Sequence, residues 1–177
     1  FPRRLVATID NLARSHAPPR LWPVNPTPGR FTVSRSGDAE VIDSDNGMRY
    51  VPFVLLAETV DVGAAVSLYV RMYPTLQRTY EELGFPHRQF NDRVVEVINN
   101  LLATPDVAQP VPVRLPEIRG PIPPERPWVL YEFADPALGS LSAGQKILLR
   151  MGPVNERRLK AKLTEIRRRL VKAEKGR

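Results

Sequence analysis

Nineteen prolines among 177 residues constrain this chain more than any other feature. That is about twice the ordinary share of roughly 5%. Proline fixes φ and lacks an amide donor, so it ends helices and is kept out of inner strands. Thirteen of the nineteen fall in two stretches, Pro18 to Pro28 and Pro105 to Pro127. Extended, polyproline-like connections are therefore predicted over about 17–30 and 105–127. Secondary structure must be built in the blocks between them.

The first block, Arg3 to Arg14, places Leu5, Val6, Ile9, Leu12 and Ala13 at helical spacing. After the first connection, "RFTVSRSGDAEVID" alternates around a Ser-Gly-Asp turn and reads as a short hairpin. Tyr50 to Val60 follow. Asp61 then caps a helix in which Val62, Val66, Tyr69, Tyr73, Leu76, Tyr80 and Leu83 recur every three to four residues. Pro74 is expected to kink or briefly break it, and Gly84 to end it at C′. "QFNDRVVEVINNLLATP" is a further amphipathic helix, with Val94, Val95, Ile98, Leu101 and Leu102 inward and Thr104-Pro105 as its stop.

In the second Pro-rich region "VPVRL" and "WVLYEF" are predicted as short strands. Asp135-Pro136 reads as an N-cap with proline at N1. Ser142 and Gln145 match a capping box ahead of Ile147, Leu148 and Leu149. Gly152-Pro153 separates that helix from a final one. The sum is a mainly α fold of about six helices in one compact domain, residues 1–177, with a small β-hairpin or sheet element.

Composition narrows function by exclusion. The chain has no cysteine, which removes disulfides, thiolate zinc sites and cysteine nucleophiles, and fits an oxidising compartment. Its longest apolar run, Val51 to Ala57, falls well short of the roughly 20 residues of a membrane span. His16 and His87 lie far apart in expected loops, and no metal-binding motif is present. Glu81 and Glu82 are adjacent, so a helix turns them apart by about 100°. Asp135 and Ser142 are better explained as caps than as a base and a nucleophile. "GQKILL" lacks the upstream glycine of a phosphate loop. No catalytic residue, cofactor, metal or small-molecule substrate is expected.

The aromatic residues fall mainly on apolar helical faces or in strands, so core packing is favoured over a stacking platform. Trp22 and Trp128 sit in the Pro-rich connections, where partial exposure and packing on proline rings are expected. "PIPPERP" satisfies P-x-x-P twice, but a stiff loop accounts for it more simply than a groove ligand.

Three segments resemble a known family. They are "LVATIDNLAR", then "YPTLQRTYEELGFP" with "FNDRVVEVINNLLATP", then "YEFADPALGSLSAGQKILLRMGPVNERRLKAKL". Together they resemble the uncharacterised bacterial family DUF3014 over nearly the whole chain. The resemblance implies a proteobacterial protein with no assigned activity. It also implies a membrane-spanning helix and Pro-rich linker before Phe1, with this domain on the periplasmic side of the inner membrane. A longer Pro-rich insertion around Pro116 to Pro127 departs from the usual pattern.

Charge gives the remaining lead. The net charge is +7. From Pro153 onward ten Arg or Lys face three Glu, so residues 1–152 balance at sixteen of each sign. The basic character belongs to one helix, 153–175. In that helix Leu159, Leu163, Ile166 and Leu170 form one narrow apolar seam. Leu159 and Leu163 are expected to dock on the domain, and the helix to project beyond Ile166. Its basic residues Arg157, Arg158, Lys160, Lys162, Arg167, Arg168, Arg169 and Lys172 are the candidate binding residues.

A charged helix face is often only a solvated surface. Contact with an anionic membrane surface or an acidic protein partner is the functional reading. Nucleic acid binding is the alternative, since localised cationic charge also suits phosphates. A neutral remainder and no recognised nucleic-acid fold weigh against it. The expectation is a non-enzymatic, membrane-tethered envelope interaction or scaffold domain.

Overall fold

The computed structural model describes residues 1–117 and 125–175. Among these are seven helices: α1 (Pro2–Leu12), α2 (Val51–Thr59), α3 (Val62–Glu82), α4 (Phe90–Leu102), α5 (Pro136–Gly139), α6 (Ala143–Arg150) and α7 (Pro153–Lys175). Four short strands, β1 (Val33–Ser36), β2 (Ala39–Ile42), β3 (Pro112–Arg114) and β4 (Glu132–Phe133), form one antiparallel sheet in the order β1-β2-β3-β4. The mainly α class and the small sheet are as expected.

The hairpin turns at Gly37-Asp38, with Ser36 opposite Ala39. Gly37 has φ of 60°, the left-handed value that glycine supplies at the first central position of a tight hairpin turn. Only part of "WVLYEF" is a strand. Pro127–Val129 is a 3-10 turn, and pairing is confined to Glu132 and Phe133.

The predicted helix signals are met by observed bonds. Asp61 accepts from the amide of Ala64 at 2.6 Å, and Asp135 from that of Ala137 at 2.8 Å. Gly84, at φ of 104°, follows α3 in the C′ position. Both halves of the Ser142/Gln145 box are present, at 3.3 and 3.1 Å. Asn100 at the end of α4 binds both of these caps. Its side chain accepts from Ser142 Oγ at 2.7 Å and its carbonyl from Gln145 Nε2 at 2.9 Å.

Two expectations need correction. α3 runs unbroken through Pro74, because proline removes a single ladder bond while packing on α1, α4 and α7 holds the turns on either side. α7 does not project beyond Ile166. Leu170 is only 4% exposed, and Ala173 packs on the same core.

α7 is therefore a central element, packed on α2, α3, α4 and α6. Its seam closes two clusters. One contains Val6, Val66, Leu76, Tyr80, Phe90, Ile98 and Leu170; the other contains Val97, Leu101, Leu148 and Met151 with Leu159. A third cluster, Val111, Val113, Phe133 and Leu149, lies under the sheet.

Asp10, 6% exposed, joins α1 to α4. It meets Arg93 Nε and Arg14 Nη2 at 2.8 Å each, and Arg93 also donates to the Asp10 carbonyl at 2.9 Å. Burial alone pulls Arg93 toward its neutral form. Its bonds to Glu96 and Asp10 outweigh this and raise its pKa.

Candidate interaction surface

Gly152, at φ of 82°, turns the chain from α6 into α7. From there the eight basic candidates divide. Arg158 grips the Glu58 carboxylate through Nε at 2.7 Å and through Nη2. Lys162 donates to the carbonyls of Glu58 and Val60, both at 3.0 Å. Lys160 lies 2.7 Å from Glu156 Oε1 and donates to the Thr104 carbonyl at 2.6 Å. Arg169 pairs with Glu165 at 3.3 Å and lies beside Gly63, where an added Cβ would meet its Nη1 at 3.1 Å. Arg158, Lys160 and Lys162 tie α7 to other elements, while Arg169 pairs within α7.

The other four, Arg157, Arg167, Arg168 and Lys172, are exposed and make no side-chain bond or ion pair among the described residues. At about 100° per residue, Arg157, Arg168 and Lys172 share the side opposite the apolar seam, while Arg167 falls on the Lys160 flank. Arg157 and Arg168 stand about 16 Å apart along the axis. The cations form a sparse stripe, not a dense patch.

The element beside that stripe is α2. Its sequence, VPFVLLAET, is apolar on every side. Only Val54 is buried, at 0% exposure. Leu56 is 66% exposed, and Phe53, Leu55 and Val60 are also exposed. Three large exposed apolar side chains on one short helix, with Val60 at its C-cap, are more than the scattered exposure usual for a surface. α2 is fixed to α7 by the Glu58–Arg158 pair and by Lys162, whose ammonium sits at the C-terminal carbonyls of α2. That is where a helix dipole favours a cation. Arg158 holds the Glu58 carboxyl below its ordinary value of 4.5, and Glu58 in turn raises Arg158. Exposed apolar and cationic surfaces thus lie on two joined helices.

The remaining candidates are structural. Tyr80 and Phe90 are fully buried, and Tyr80 stacks on Phe85 at 4.5 Å. Burial, with the charge of Asp10 second, pushes the Tyr80 hydroxyl up. Phe53 and, at the first residue, Phe1 are the exposed phenylalanines that depart from the core assignment. Trp22 and Trp128 are half-buried, and Trp128 packs under the Arg30 guanidinium at 4.2 Å. His16 and His87 are exposed. No three His, Cys, Asp or Glu side chains among the described residues are grouped to hold a metal ion. The same residues contain no single helix long and apolar enough to cross a membrane. Most of "PIPPERP", from Pro121 to Pro124, lies outside the described residues.

Fold and surface define a mainly helical domain with a cationic helix built into its core and an apolar helix beside it. Residues 1–167 match the family described as "Protein of unknown function (DUF3014)", and the chain belongs to that family. No curated protein and no solved structure matches it.

Proposed function

We propose that this is a non-enzymatic interaction domain of the bacterial envelope that rests against an anionic membrane surface. The supporting observation is that two exposed features, the apolar side chains of α2 and the unpaired cations of α7, are carried by helices packed on each other. Interfacial helices bind by this combination: apolar side chains enter the headgroup boundary and cations meet anionic lipid. Each basic residue near such a surface contributes about 1 kcal/mol. A fully buried Leu or Phe contributes about 1.5–3 kcal/mol. Neither feature is sufficient alone; together they give reversible binding. A tethered, periplasmic placement is part of this proposal.

Co-sedimentation with anionic and neutral vesicles over a salt series tests it. The variant R157E/R168E/K172E changes only exposed, unpaired cations. Salt-sensitive binding to anionic vesicles that this variant loses is the expected result. Tighter binding to duplex DNA than to vesicles would favour nucleic acid instead. Equal behaviour of parent and variant would reduce the stripe to a solvated face.

A further inference from the structure

A cavity of about 530 Å³ lies on another part of the molecule. Its wall is made by the segment after α1 (Ser15, His16, Pro19, Trp22), by β3 and β4, and by α5 and α6. Its volume is within the range of small-molecule sites. Arg114, Lys146 and Arg150 line it against one carboxylate, Glu132.

These cations are poorly matched. Glu132 is mostly exposed and reaches Arg114 at only 3.9 Å. Lys146 Nζ has two long bonds, at 3.3 Å, to the carbonyls of Ser15 and Gly139. Arg150 donates one N–H to the Tyr131 carbonyl at 2.9 Å and stands 5.2 Å from the Phe133 ring centre. Among the described residues neither Lys146 nor Arg150 has a carboxylate within ion-pair distance. Burial depresses the Arg150 pKa, with Tyr50 and Glu132 only partly opposing it. A half-buried guanidinium without a counter-charge is costly, and is ordinarily paired.

A second observation comes from Trp22. Its indole Nε1 is buried and has no hydrogen-bond partner. Buried donors are nearly always satisfied, and the Trp22 side chain that carries this orphan lines the cavity. The cavity therefore offers cationic donors, beside a Trp22 wall, to one negatively charged group. Phe133, Ile147 and Pro136 offer an apolar wall for the rest of a ligand.

We propose that this cavity binds a small organic anion. A carboxylate or phosphate headgroup lies against Arg150 and Lys146, beside the Trp22 ring that lines the same cavity. The apolar part of the ligand rests on Phe133 and Ile147. This site is separate from the membrane face, and neither proposal depends on the other.

The test follows the two indole N–H resonances by NMR, with Trp22→Phe assigning them. The probes are benzoate, phenyl phosphate and neutral benzyl alcohol. The Trp22 signal is expected to shift with one or both anions and not with the alcohol; the stronger anion identifies the headgroup. K146Q, at a side chain on the rim, should weaken binding about tenfold, the scale of one charge-assisted hydrogen bond. R150Q should weaken it further, and K146Q keeps the test decisive if R150Q fails to fold. An unmoved Trp22 signal at about 10 mM anion, where even low-millimolar binding would be visible, overturns the proposal. So does an equal response to benzyl alcohol, or unchanged affinity in K146Q.

Discussion

Single residues carry constraints that their type alone does not announce. Gly144, the second residue of α6, is in ordinary helical backbone, but its missing side chain matters. A Cβ there would lie 2.9 Å from the Leu12 carbonyl oxygen and closer still to Leu101. G144A is therefore expected to destabilise by about 2 kcal/mol, the usual scale of overpacking, read by urea unfolding. The helix propensity of alanine favours the opposite sign, so the measurement separates packing from propensity. D10N is expected to cost about 3 kcal/mol, because it leaves Arg93 short of a buried partner. Caps were legible residue by residue: Asp61, Asp135, Ser142 and Gln145 all act as their types and spacing require. Asp10, Asn100 and Gly144 were not, because their roles come from contacts with residues distant in sequence.

At the scale of elements, amphipathic period found the helices that have one inward face. It did not find α2, which is apolar on all sides and so marks no face. The same property leaves α2 exposed, since packing on α7 and on the preceding 3-10 turn (Ser44–Tyr50) cannot bury its whole circumference. The seam of α7 is legible from its spacing, but the depth to which it is buried is not. Sequence spacing identified Leu170 as apolar, and only the packing of α3 against α7 places it in the core. The α2–α7 junction predicts a pH dependence. Glu58 is held below 4.5, so its charged form is favoured in the folded state. The pair's contribution is complete above pH 4.5 and is lost as pH falls through the depressed folded value. E58Q should be less stable than the parent near neutral pH, and the gap should close in acid. A gap independent of pH in urea unfolding would mean that the ion pair does not hold α2.

For the whole molecule, charge segregation is the organising feature. Residues 1–152 are balanced, and the excess of +7 lies from Pro153 onward, +6 of it in α7, where half of the eight candidate cations make internal bonds. A count of basic residues therefore overstates the available surface, and sequence has no means of telling paired from unpaired ones. R157E/R168E/K172E should change folding stability by no more than about 0.5 kcal/mol, as surface substitutions do. The absence of cysteine allows the most direct test of membrane contact. An environment-sensitive dye is attached at Leu56→Cys on α2, or at Glu82→Cys at the far end of α3, a helix about 30 Å long. Anionic vesicles should shift the emission of the dye at position 56 to the blue and leave that at 82 unchanged. Bound protein with no shift at 56, or with equal shifts at both positions, would contradict α2 as the membrane-facing element.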